Sequence, residues 1–178
     1  ILIINWPELS KKGKNHLRTW FTSQSLFIAH NMKFDLSFLL KAGFKPFSIF
    51  DTMLAERLVT AGLKKKGFGL ADLCSKYLNL KLPKELQESD WQGPLTNEQL
   101  QYAARDASVL LPLYHKLTQE LQSHRLIDVA KLEFACLPVV TQMELNGFAV
   151  DRKRLKKLGR NLTEQICLLS DSLTSSLG

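Results

Sequence analysis

The feature that most limits what this chain can fold into is residues 96–114, TNEQLQYAARDASVLLPLY. Thr96 followed by Gln99 has capping-box spacing, in which the hydroxyl and the amide each satisfy a backbone N–H left open at a helix start. The spacing predicts a helix beginning here. Leu100, Ala103, Ala104, Ala107, Leu110 and Leu111 recur at three- and four-residue intervals and make one apolar face. Pro112 lacks the N–H for the i→i−4 bond and is expected to kink or divide the helix, which runs on to about Arg125. Tyr102 and Asp106 lie one turn apart on one side of it. A phenol beside a carboxylate can hold a metal-bound water. Taken alone the pair is weak evidence, because short motifs recur by chance and a half-packed tyrosine beside a solvated aspartate is the commoner arrangement.

The rest of the chain supplies a context. Residues 1–4 (ILII) and 26–29 read as short buried strands, with Pro7 ending the first. Between them Leu17, Trp20 and Phe21 are spaced as the inner face of a short helix in a basic segment containing Lys11, Lys12, Lys14 and Arg18. Residues 32–41 read as a helix with Phe34, Phe38 and Leu39 facing the core and Gly43 near its C-terminal cap. Asn31 and Asp35 start that helix, just beyond a strand edge, where α/β sheets present functional groups. His30 beside them reads as a structural histidine rather than a general base.

Residues 47–50 form a candidate strand, and Asp51 a candidate N-cap for a helix over 52–61 stopped by Gly62. For Asp51 the structural reading is stronger than a catalytic one. Lys64, Lys65 and Lys66 make a basic loop that is either a solvated turn or a phosphate contact. Residues 69–78 form an amphipathic helix and 82–94 a polar connection in which Trp91 reads as a core plug. A helix over 132–145 carries Pro138, residues 148–150 are extended, and Asp151 caps a last helix. There Leu155, Leu158, Leu162, Ile166, Leu169 and Leu173 line one stripe, with six basic residues between Arg152 and Arg160.

A formal charge of +7 suits a polyanionic partner without naming it. Cys74, Cys136 and Cys167 are odd in number, with no CxxC spacing, which argues against a disulfide framework or a zinc site and for an intracellular, reducing compartment. No apolar run approaches the ~20 residues of a membrane span, so no membrane is expected as partner. GxxxxGK[ST], HExxH and GxSxG are absent, which removes P-loop, zincin and esterase chemistry. Hydrolysis of a phosphodiester by two metal ions instead needs carboxylates from different elements, because Mg²⁺ prefers oxygen ligands and keeps some waters. Asp35 and Asp106 are candidates for two of them.

The blocks AHNMKFDLSFLLKAGF, IFDTMLAERLV, LADLCSKYLNL, KELQESDW and LTNEQLQYAARDASVLLPLYHKL, in this order between about residues 25 and 117, resemble the 3′→5′ exonuclease domain shared by family A DNA polymerases and ribonuclease D. The resemblance implies an α/β, ribonuclease H-like fold. It implies Asp35 and Asp106 as catalytic metal ligands, Tyr102 as the residue positioning the attacking water, and Asn31 as a holder of the 3′-terminal nucleotide. Mg²⁺ or Mn²⁺ is the implied cofactor. The implied partner is a single-stranded DNA 3′ end or primer–template DNA, met by a monomer.

One family motif has no counterpart. The Asp-x-Glu on the opening strand, which provides two of four acidic groups, is missing, since only NWPE precedes the second motif. The expectation is a fold lacking its first strand or strands, a two-metal site incomplete here, and impaired activity. LEFACLPVVTQMELNGFAVDRKRL resembles the junction between exonuclease domain and polymerase thumb, with Met143, Glu144, Gly147 and Asp151 in the characteristic run. Residues 1–126 are therefore expected to be an exonuclease domain and 127–178 the start of a polymerase domain, with the rest of a polymerase chain to follow. A non-catalytic nucleic-acid-binding scaffold and ribonuclease D-like RNA 3′-end trimming are the alternatives.

Overall fold

The computed structural model describes residues 1–22, 25–46, 48–63, 65–83, 89–91 and 93–177. It divides into two compact units, Ile1–Leu145 and Asn146–Gly178. In the first, helix α1 (Lys11–Thr22) precedes a β1–α2–β2 crossover of Leu26–Ala29, Met32–Lys41 and Ser48–Asp51. The two strands pair in parallel with Leu26 opposite Ser48 and Ala29 opposite Asp51. Helices α3 (Thr52–Thr60), α4 (Leu70–Leu78), α5 (Asn97–Ser108), α6 (Leu110–Ser123) and α7 (Ile127–Asn146) follow.

The break between α5 and α6 falls at Val109, three residues before Pro112. A proline ring clashes with the carbonyl four residues back, here Ser108, the last residue of α5. Leu113, Leu117 and Leu121 then repeat at four-residue intervals and bury one face of α6 completely. They form the main core with Phe50, Ala55, Leu73, Cys74, Ala130 and Phe134. α7 thus contributes to this unit's core, and Pro138 lies inside it without ending it.

Four expectations need correction. Residues 1–4 form no strand, and Ile1 and Leu2 are 78% and 81% exposed, because an extended apolar run gains nothing without a ladder partner. On α2, Met32 and Leu36 are the buried pair, while Phe34 and Phe38 point outward and pack edge-to-face on each other at 5.2 Å. Trp20 is exposed on α1, whereas its neighbour Phe21 stacks on Phe27 at 4.4 Å. Leu111 leaves the proposed apolar face because the break at Val109 precedes it, and Ala107, near the end of α5, is exposed. Phe47 and Lys64 lie outside the described residues, as do residues 84–88.

The second unit is built on α8 (Arg152–Leu177). Its N-terminus is capped as expected: the Asp151 carboxylate accepts from the Lys153 and Arg154 N–H groups at 2.9 and 3.1 Å. Every residue of its leucine–isoleucine stripe is exposed. Among the described residues no helix is long and apolar enough to cross a membrane.

Candidate active site

The site forms where the two parallel strands end. Pairing of Ala29 with Asp51 brings the turn after β1 against the start of α3. Asn31 occupies the left-handed region (φ 61°, ψ 48°), which asparagine tolerates better than most residues, and so turns the chain sharply into α2. That turn aims Asp35, in the first turn of α2, into a cleft of about 710 Å³.

Asp51 holds the turn. Its Oδ1 accepts from the N–H of Asn31 at 3.1 Å, Met53 at 2.8 Å and Leu54 at 3.2 Å, and its Oδ2 from the N–H of Met32 at 2.9 Å. The expected N-cap of α3 is therefore present, and the same carboxylate also caps α2 from a different strand. Beside it the Thr52 hydroxyl donates to the Ala29 carbonyl at 3.1 Å and lies 2.9 Å from His30 Nδ1. Burial pushes the His30 pKa down against the opposing pull of Asp51 and of a hydrogen bond with the Phe68 backbone. His30 is thus tied to the frame, although it lines the cleft.

The other wall comes from α5. Thr96 Oγ1 accepts from Gln99 N–H at 3.2 Å and Gln99 Oε1 accepts from Thr96 N–H at 2.9 Å, which completes the capping box. Gln99 Nε2 also donates to the Asp90 carbonyl at 2.7 Å. The glutamine that starts the helix therefore fixes the 89–91 segment too. Trp91 lies at the cleft, 39% exposed, with its ring 6.1 Å from that of Tyr102. It is not a core plug: the anchored segment directs it to the cleft wall.

Asn31, Asp35, Tyr102 and Asp106 all line this one cleft, together with Met53, Leu82 and Trp91. Lys65 and Lys66 are exposed and are not among its lining residues. Loss of water raises the Asp35 pKa, and the charge of Asp51 adds to the rise, although the side chain stays open enough for solvent to screen both effects. Loss of water likewise raises the Asp106 pKa, against its hydrogen bond with Tyr102 and the charge of Arg105. The Tyr102 pKa rises through partial burial and the neighbouring Asp106 charge, which keeps the phenol a proton donor.

Two carboxylates that share one cleft, each with its charged form disfavoured by loss of water, are groups able to hold a divalent cation. Asp35 and Asp106 suit one hydrated Mg²⁺, which usually takes one or two protein carboxylates and otherwise water or phosphate oxygens. Among the described residues no group of three or more His, Cys, Asp or Glu converges, so a closed protein cage is absent there. The trans-capping role of Asp51 and the place of Trp91 were not legible in sequence. The first depends on strand register and the second on the Gln99 anchor.

Residues 8–122 match the family model described as 3'-5' exonuclease. DNA polymerase I of Aquifex aeolicus is 35% identical over 147 residues, covering 72% of this chain and 25% of that protein. Ribonuclease D of Haemophilus influenzae is 40% identical over 98 residues, 54% of this chain and 24% of its own. The chain thus spans about a quarter of the length of these relatives. Among solved structures, Brucella melitensis NrnC superposes with a TM-score of 0.65 at 30% identity, covering 75% of this chain and 66% of that one, and NrnC has also been solved with bound Mg²⁺. A family model that spans most of the chain, including both helices that build the cleft, identifies this protein as a member of the 3′–5′ exonuclease family represented in DNA polymerase I and ribonuclease D.

Proposed function

We propose that the first unit is most of the proofreading exonuclease domain of a family A DNA polymerase, acting on single-stranded DNA 3′ ends, and that α8 begins the polymerase thumb. The observation that carries this reading is the convergence of Asn31 and Asp35 from α2 with Tyr102 and Asp106 from α5 on one cleft. The polymerase branch is favoured over ribonuclease D because the Aquifex polymerase match covers more of the chain than residues 1–122 supply, whereas ribonuclease D relatives match 49–59% of it. The basic first turns of α8 then meet duplex backbone with salt-dependent, sequence-independent affinity.

Each residue has a distinct part. Asp35 and Asp106 hold a divalent cation, Mg²⁺ or Mn²⁺. Bound there, the cation supplies charge neutralisation at the scissile phosphate and acidifies a coordinated water. Tyr102 orients the attacking water from one turn away, and Asn31 holds the terminal nucleotide. With the Asp-x-Glu pair missing from the sequence, a second ion lacks its ligands here and turnover is weak.

Shortening of a 5′-labelled single-stranded DNA from its 3′ end, followed with Mg²⁺, Mn²⁺ or EDTA, tests this. The expected result is slow, metal-dependent release of nucleoside monophosphates that Asp106→Ala abolishes. No shortening under any condition would leave the scaffold alternative in place, and preference for an RNA 3′ end would support ribonuclease D-like trimming.

A further inference from the structure

Asp51 is 2% exposed, points away from solvent, and accepts four backbone N–H groups from two helices. One cap to its own helix is ordinary. The two further bonds are not, because Asn31 and Met32 belong to a helix that starts some twenty residues earlier and carries two of the candidate site residues. We infer that Asp51 is a positioning residue for the exonuclease reaction: its carboxylate sets the start of α2 against the start of α3 and so fixes where Asn31 and Asp35 stand. The inference rests on the exonuclease reading for its catalytic consequence.

The argument is one of capacity and reach. The first N–H groups of a helix have no partner within the helix, and α2 receives no cap from the Asn31 side chain. Asn31 also sits in a left-handed conformation, which costs free energy unless the surroundings hold it. Asp51 supplies the missing acceptors, one carboxylate oxygen to Met32 and the other to Asn31, in a position where its charge also complements both helix dipoles. Thr52 braces the same corner through the Ala29 carbonyl, and His30 through the Thr52 hydroxyl. A neutral amide has only one acceptor oxygen, and a serine hydroxyl is long enough for its own helix but not for α2.

These differences allow the two roles of Asp51 to be separated. Asp51→Ser retains a good N-cap for Met53 and Leu54 and removes both bonds to α2. Asp51→Asn keeps the three bonds at the Oδ1 position and turns its amide N–H against that of Met32. In the full 178-residue chain, well below each variant's melting temperature, kcat falls in the order wild type, Asn, Ser. The serine variant loses about 10- to 100-fold, the range seen when the support of a metal ligand is removed, and needs more Mg²⁺ for half-maximal rate. Excess Mg²⁺ recovers part of that loss, which a merely destabilised fold would not show.

Amide hydrogen exchange on the same proteins gives a reading that does not need catalysis. In Asp51→Ser the Asn31 and Met32 amides exchange faster while Met53 and Leu54 stay protected. Wild-type rate and Mg²⁺ requirement in the serine variant would overturn the inference, as would an equal loss of protection in both helices. If wild type itself cleaves nothing, the exonuclease reading fails on its own account. The exchange pattern then still decides whether Asp51 sets α2.

Discussion

Glu56 Oε1 lies 3.0 Å from Lys76 Nζ, and its Oε2 accepts from the Tyr77 hydroxyl at 2.6 Å, although Glu56 is completely buried. These bonds tie α3 to α4, the helix whose first residues form part of the cleft wall. Burial raises the Tyr77 pKa and the hydrogen bond to Glu56 raises it further, so the phenol remains a donor at any ordinary pH. Removing Lys76 takes a close ammonium away from this buried carboxylate and leaves its bond to the phenol in place. Lys76→Met is expected to destabilise the fold by about 3 kcal/mol, the low end of the range for breaking a buried pair, because the ammonium is partly exposed. Chemical denaturation measures it, and a change below about 0.5 kcal/mol, as for an ordinary surface substitution, would show that solvent already screens Glu56.

The raised Asp106 pKa carries a stability consequence of known sign. Its stabilising contribution is fully present below the unfolded pKa of about 4 and is lost as pH rises through the higher folded value. At neutral pH without divalent cations the ionised carboxylate therefore weighs against folding. Asp106→Asn is expected to melt at or above the wild-type temperature at pH 7 in EDTA, with the difference closing below pH 4. Mg²⁺ then raises the wild-type melting temperature more than the variant's, because only wild type retains both ligands. A variant that melts lower than wild type by the same margin at every pH would mean that Asp106 is a structural partner of Tyr102 and nothing more.

How much of this was readable without coordinates depends on whether a feature is local. The capping box at Thr96, the helix break governed by Pro112 and the caps at Asp51 and Asp151 rest on a few neighbouring residues, and all are present. Tyr102 and Asp106 share a turn for the same reason. Features that depend on what packs against an element were misplaced. Phe34 and Phe38 read as core because they are large and apolar, but the crossover buries Met32 and Leu36 instead. The strand expected at residues 1–4 failed likewise, since periodicity cannot supply a partner. Asp51 lies between these cases: its bonds to Met53 and Leu54 follow from spacing, whereas those to Asn31 and Met32 exist only because Ala29 registers with Asp51.

Tyr102→Phe removes the hydroxyl and leaves the ring, so packing against Trp91 survives. If the hydroxyl orients the attacking water, kcat falls about 100-fold with little change in KM, within the span ascribed to a positioned proton-bearing group. Steady-state rates on single-stranded DNA separate the two constants. Because the Tyr102 pKa is raised, ionisation of this phenol should not produce an alkaline limb through pH 9. A loss confined to KM would instead make Tyr102 part of the nucleotide-holding surface.

Trp91 offers the largest aromatic face on the cleft, which Leu82 and Pro83 also line. The residue before it is anchored by the Gln99 bond to the Asp90 carbonyl, while the ring stays 39% exposed. A single-stranded end needs a sequence-tolerant grip, and stacking on an aromatic ring contributes about 1–3 kcal/mol per base. Trp91→Ala is therefore expected to raise KM for single-stranded DNA by about 5- to 150-fold, the same energy expressed as an affinity, with kcat nearly unchanged. Tryptophan fluorescence provides a second reading: quenching by an oligonucleotide in wild type should shrink in Trp91→Ala and persist in a Trp6 or Trp20 variant. A loss of kcat with unchanged KM would place Trp91 among the supports of Tyr102 rather than on the path of the nucleic acid.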